Sequence, residues 1–395
     1  MKRTLRYTLP ALLCAGYLAA SPAQALDITL QGEEQLHLDA IRELESRDGA
    51  YGAALPESLL SLGLLLQNRG RHEEALRLFK RGAHLVRINE GLNSAAQIPL
   101  LRGEIDAHLA SGEYELADER QEYLYRVQTY NFKTGRELTE AYLQHAQWQL
   151  DAFVLNFDKS GHVRLMNTAE YYMRARDEVT AREGATSTNL YEPLIGLLRT
   201  QYLIQGHVID SSHSSTSSPN LNQERYRYAR YRLIANDVAQ DTILRLGRLE
   251  RGTMDPTVRQ LAADIMLGDW LLWTGNRPQA MAYYGNSMQE LSELPAAQTL
   301  MAALEGDPRP LPDLGNLHGL PSAVDEGGED VVQLSFDVTS TGRVVNLNRL
   351  DENRALNGRA NRLMRLLRRT PFRPRFEGPE PVETNNLVRN FKIEN

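Results

Sequence analysis

Leu59-Leu60-Ser61-Leu62-Gly63-Leu64-Leu65-Leu66 opens the stretch that decides the fold, and Gly70, Ala75, Phe79 and Ala83 complete it. A second window has the same skeleton: Leu267-Gly268, then Leu271, Gly275, Ala280 and Tyr284. In both windows the two glycines stand 7 residues apart, the alanine lies 12 after the first glycine, and the aromatic follows the alanine by 4. Each position has a physical reason. A small residue in the first helix (Gly63, Gly268) lets a second helix approach closely. A glycine at the turn (Gly70, Gly275) can end the first helix in a left-handed conformation. The alanine fills the tight contact, and the aromatic four residues later lies on the same face and fills the gap to the next pair.

With Leu62, Gly63, Gly70, Ala75 and Phe79, and again Leu267, Gly268, Gly275, Ala280 and Tyr284, the chain resembles the tetratricopeptide repeat. A weaker copy keeps Gly112 and Ala117 but places Ile105 at the first glycine and Gln121 at the aromatic. Further stretches show helical spacing without the signature: Glu137 to Val154, Leu165 to Val179, Tyr191 to Gln205 and Gln223 to Asp237. The resemblance implies stacked helical hairpins over residues 26–305, with a concave surface suited to a peptide or partner. An irregular helical bundle is the alternative arrangement that the same spacing allows.

Residues 210–222 are so rich in small polar side chains that they predict an exposed flexible loop. The following run, Tyr226-Arg227-Tyr228-Ala229-Arg230-Tyr231-Arg232, reads as a helix edge with arginine heads in water and tyrosine rings packed inward. Tyr and Arg also suit an interface.

Composition shifts after residue 305. Pro308, Pro310, Pro312 and Pro321 with interspersed glycines predict a linker over 306–328. Beyond it the period becomes alternating. Val332, Leu334, Phe336 and Val338 form one face of a strand. Ser340-Thr341-Gly342 makes a hairpin turn, and Arg343 to Leu350 forms a second strand. Leu356, Ala360, Leu363 and Leu367 mark one helix face, which ends at Pro371. A last strand carries Leu387, Val388, Arg389, Asn390, Phe391, Lys392 and Ile393. This order predicts a small α+β domain over 329–395, a three-stranded antiparallel sheet with one helix.

On that hairpin, the leucine-bearing helix, Phe372-Arg373-Pro374 and the Pro379/Pro381 loop, the region is similar to the C-terminal domain of TonB-type energy transducers. The resemblance implies that Leu387 to Ile393 is an edge strand able to pair with an extended partner peptide. Arg389 and Lys392 on the same strand could equally blunt that edge.

Charge is unevenly placed. Arg349 to Arg375 holds nine arginines against two acids. The whole chain carries −7, with +3 on the first 25 residues and +2 on 326–395, which leaves −12 between them. The basic helix is either a solvated face or a dock for an acidic partner, the acidic helical region, or anionic lipid.

At the N-terminus, Lys2, Arg3 and Arg6 precede the apolar Leu9 to Ala20, and Ala23-Gln24-Ala25 supplies a cleavage pattern. Residues 1–25 are therefore read as a signal peptide cleaved after Ala25, which predicts export to the periplasm. Retention as an inner-membrane anchor would instead suit a TonB-type transducer. The only cysteine, Cys14, lies in this segment. No nucleotide-binding, nucleophile-elbow or zinc-protease motif occurs, and the histidines form no metal-ligand pair at helical spacing. The sequence thus predicts no catalytic residues, cofactor or metal, and no nucleic-acid partner. The expected role is a protein–protein interaction scaffold of the cell envelope, with envelope proteins or peptides as partners, an outer-membrane protein among them. Membrane contact is expected only through an uncleaved N-terminus or the basic helix.

Overall fold

The computed structural model describes residues 22–158, 161–207, 219–250, 252, 254–315, 317–325, 328 and 330–393, with side chains from 32 in the first helix and from 223 in the ninth. The expected signal segment, with Cys14, lies outside the described residues up to position 21, as does the Ser-rich stretch 208–218. The described chain is mainly helical, with a small antiparallel sheet near its C-terminus. None of the described helices is long and apolar enough to cross a membrane. The chain divides into two compact units between Val127 and Gln128.

The first unit holds α1 (Pro22–Asp48), α2 (Leu55–Asn68), α3 (His72–Glu90), α4 (Ile98–Ala110) and the start of α5 (Tyr114–Asn131). Pro56 sits in the first turn of α2, where its missing N–H costs nothing. At the other end, Gly70 takes φ +73°. The Gly70 N–H then donates to Gln67 O at 2.9 Å and the Arg71 N–H to Leu66 O at 2.9 Å. This is the paired C-cap of the Schellman motif, which satisfies carbonyls the helix would otherwise leave open. Gly112 closes α4 with the same two bonds, to Leu109 O at 3.0 Å and from Glu113 N–H to His108 O at 2.9 Å. Leu59, Leu62, Leu66, Phe79 and Val86 build the core between these helices.

The second unit continues with α6 (Arg136–Val154), α7 (Gly161–Glu183), α8 (Tyr191–Gly206), α9 (Pro219–Arg248), α10 (Pro256–Thr274), α11 (Arg277–Ser292) and α12 (Gln298–Glu305). From α6 to α12 each helix contacts the next. The predicted loop over 210–222 is therefore corrected at its end: Pro219 opens α9, a first-turn position that proline suits. Asp255 caps α10 by accepting from the Thr257 and Val258 N–H groups at 2.7 and 3.3 Å. Gly275, at φ +95°, ends α10 with the Schellman pair again.

The C-terminal region contains β1 (Arg309–Pro310), β2 (Ala323–Val324), β3 (Val331–Val338), β4 (Val344–Arg349), α13 (Asn357–Arg369), β5 (Phe372–Arg373), β6 (Arg375–Glu377), β7 (Glu380–Val382) and β8 (Thr384–Lys392). Four strands, not the expected three, form the main sheet in the order β2-β8-β3-β4. The extra strand comes from the segment expected to be a linker. Val324 pairs with Asn390 and Ala323 with Phe391. Leu311 and Leu320 in the same segment are buried, so 306–328 is woven into the fold rather than spacing two domains. β1 and β5 form one ribbon, and β6 and β7 another where a proline loop was expected. Ala360, Leu363 and Leu367 of α13 cover one sheet face, packed on Val332, Leu334, Phe336 and Phe391.

Candidate functional site

The repeat-signature residues meet as their spacing requires. A Cβ on Gly63 would overlap the Phe79 ring, and one on Gly268 would lie 2.5 Å from Tyr284 Cε1. Ala75, Ala280, Phe79 and Tyr284 are fully buried. Two further contacts of this kind escaped the sequence template. Gly103 in α4 meets the other side of the Phe79 ring, with a Cβ placed 2.7 Å from its Cε2. Gly196 in α8 receives the Tyr172 ring of α7, so tightly that a Cβ there would overlap it. Burial pushes the Tyr172 hydroxyl up to about 12. In the Tyr226–Arg232 run, Tyr228 packs inward and donates to Ile204 O at 2.9 Å, while Tyr226 stays exposed.

The α10–α11 hairpin carries one addition that the first hairpin lacks. Asp269, next to Gly268, is buried and accepts from the Tyr284 hydroxyl at 2.7 Å. It also accepts two hydrogen bonds from Arg373 of β5, Nε to Oδ1 at 2.8 Å and Nη2 to Oδ2 at 2.5 Å. Asp313 stands 3.5 Å from the same guanidinium. Burial opposes the charge on Arg373, and the adjacent Asp269 carboxylate more than offsets it, so its pKa is raised and it stays a cation. Burial raises Tyr284 and Tyr202 well above the usual phenol range, with Asp269 adding to the effect, so both stay neutral and Tyr284 is the donor to Asp269.

Residues on either side of Arg373 extend this junction. Phe372 packs into the sheet core, and its N–H donates to Gly342 O at 3.0 Å. Phe376 is fully buried against Tyr284, ring centroids 5.5 Å apart. At Gly342 a Cβ would strike the Phe372 carbonyl and come within 3.2 Å of Leu272 in α10. The β3–β4 turn therefore needs a residue with neither side chain nor restriction to negative φ. The α+β region is thus fixed to α10 and α11 by a buried ion pair, an aromatic contact and a close backbone approach.

The last strand is not the free edge its position suggested. β8 runs between β2 and β3. Its Asn390 and Phe391 pair with β2, and the Lys392 N–H donates to Ser322 O at 3.1 Å. Leu387, Phe391 and Ile393 are buried. From Thr384 to Arg389 no described strand pairs on that side, and there Arg389 donates to Val388 O at 3.2 Å and forms an ion pair with Asp307. Asn386, at φ +56°, breaks the extended run just before it. The outer strands are instead the two-residue β2 and the longer β4, which pairs with β3 on one side and with no described strand on the other. Asp337 of β3 stabilises both neighbours by accepting from the Asn386 N–H at 2.7 Å and from the Asn346 amide at 2.6 Å. These bonds hold its carboxyl below the usual carboxylate range.

Beside β4, α13 turns Arg362, Arg365, Arg368 and Arg369 to solvent, with Leu366 partly exposed among them. These four arginines form no ion pair with any described residue. Arg349 links strand to helix by donating to Asn357 at 2.8 Å. Among the described residues no cluster of three His, Cys, Asp or Glu is arranged to hold a metal.

No protein-family model and no curated protein matches this chain. Among solved structures the chain is similar to BtubC (BKLC) from P. vanneervenii, at 16% identity, covering 72% of this chain and 95% of that one with a TM-score of 0.36.

Proposed function

We propose that this chain is a non-enzymatic scaffold of the bacterial cell envelope, exported to the periplasm, that binds protein partners. In this reading α2–α3 in the first unit and α10–α11 in the second are tetratricopeptide-like hairpins. The C-terminal region is a TonB-like module whose partner-binding face is the β4 edge with α13. The observation that carries the reading is the unpaired outer side of β4 on a module held firmly by Arg373 and Asp269.

A strand edge offers main-chain donors and acceptors at fixed spacing, so an extended segment can add to it. Holding that edge rigid lowers the ordering cost of binding. The exposed arginines of α13 favour a segment carrying acidic side chains, by raising encounter rates and rejecting basic competitors. Arginine matches carboxylates with two parallel bonds, which lysine does not. The partner is therefore an extended acidic segment of an envelope protein. In-cell photo-crosslinking from position 348, whose side chain is exposed on β4, tests this. The expected result is one dominant adduct to an envelope protein; labelling of no protein would refute the reading.

A further inference from the structure

Beside the Asp269–Arg373 pair the second unit holds a partly open cavity of about 340 Å³. That volume falls within the usual range of small-molecule sites, roughly 300–1,000 Å³. Its walls are chiefly apolar, from α8 (Ile195), α9 (Leu246), α10 (Ala263, Met266), α12 (Leu300) and the following segment (Leu314). Arg259 of α10 also lines it. The Arg259 Nη1 donates to Leu249 O at 2.6 Å, but its Nε is buried and has no hydrogen-bond partner among the described residues. A buried donor left unmatched is costly, and a cationic one more so.

The nearby acid cannot serve it. Asp269 already accepts from Arg373 through both oxygens and from Tyr284. The cavity therefore joins an apolar body to a guanidinium that has one backbone acceptor and an unmatched Nε. Its remaining charges, Arg373 against Asp269 and Asp313, sum to −1, so Arg259 alone faces an anionic group and a second one would have no partner. We propose that this cavity binds a small monocarboxylic acid with an apolar body, the carboxylate accepting from Arg259 and the body lying against Ile195, Leu246 and Met266.

The test uses the full chain with decanoate and indole-3-acetate as probes and decanol as the matched molecule without a carboxylate. Binding is followed by titration calorimetry. Trp270 supplies a fluorescence readout, since its ring meets cavity-lining Tyr202 at 4.8 Å. Saturable one-to-one binding of at least one acid is expected. It should weaken at least tenfold in Arg259→Gln and for decanol, and vanish in Ala263→Trp, which fills the cavity. Ala262→Phe, on the half-buried side of the same wall, replaces Ala263→Trp if that variant does not fold. Absence of saturable binding by both acids at millimolar concentration would overturn the proposal. So would decanol binding as tightly as decanoate, or binding unchanged by Arg259→Gln.

Discussion

Arg373 and Asp269, 104 residues apart in sequence, meet through two hydrogen bonds of 2.8 and 2.5 Å inside the protein. The pair joins the strand after α13 to the hairpin formed by α10 and α11, and Tyr284 of α11 completes it. Removing one partner of such a buried pair strands the other charge away from water, which typically costs about 3–5 kcal/mol. Arg373→Met should lower stability by about that amount. Arg373→Met with Asp269→Leu should recover most of the loss, because a well-packed apolar pair often equals a buried ion pair. Urea unfolding followed by tryptophan fluorescence reads the second unit alone, since Trp148, Trp270 and Trp273 all lie there. A double variant as unstable as the single one would contradict this account of the pair.

Gly196→Ala forces a methyl group into the Tyr172 ring, and Gly268→Ala forces one into Tyr284. Overpacking of this kind costs about 1–3 kcal/mol. Each variant should shift the urea midpoint of the second unit downward with an unchanged slope. Gly184→Ala, at an open position with φ +90°, should cost about 1 kcal/mol through backbone strain alone.

Glu104 lies buried in the first unit, its Oε2 without a hydrogen bond and Arg120 3.9 Å away. Burial raises its pKa, with Arg120 opposing. A carboxyl raised in the folded state stabilises the fold less as pH climbs through that raised value, because the unfolded chain ionises more readily. Glu104→Gln should therefore stabilise the first unit at neutral pH, and the gain should shrink as the pH is lowered toward 4. Circular dichroism melts across that range check the sign.

Asp337 behaves in the opposite sense. The Asn386 N–H and then the Asn346 amide hold its pKa below the ordinary 3.8. Its contribution is fully present above that ordinary value and is lost as pH falls below it toward the depressed value. Asp337→Asn should erase this acid-labile part of sheet stability. Hydrogen exchange at the Asn386 amide should rise in the variant at pH 6 and match the native chain only in strong acid.

Much of this architecture was readable from spacing. Gly63 with Phe79 and Gly268 with Tyr284 meet because a helical hairpin converts those intervals into contact. Gly70 and Gly275 are left-handed where the turn needs them. The alternation from Val332 to Val338 marked β3 closely. What stayed hidden follows from locality. In Gly196 and Tyr172 the aromatic precedes the glycine, so a template running glycine to aromatic passes over them. β2 is two residues long, Ala323–Val324, too short to show any period. Without it β8 reads as an edge, and β4 is overlooked as the longer outer strand. No local pattern could have joined Arg373 to Asp269, nor placed the Arg259 guanidinium against a cavity built from three other helices.

The proposed partner-binding face is tested most directly by comparing crosslink yield from Asn348 on β4 with that from Val388 on β8 in cells, in the native chain and in Arg362→Glu/Arg365→Glu/Arg369→Glu. A single strong adduct from Asn348, little from Val388, and loss of the Asn348 adduct on charge reversal with the melting temperature unchanged are expected. Equal adducts from both strands, or an Asn348 adduct indifferent to the arginines, would contradict the proposed face.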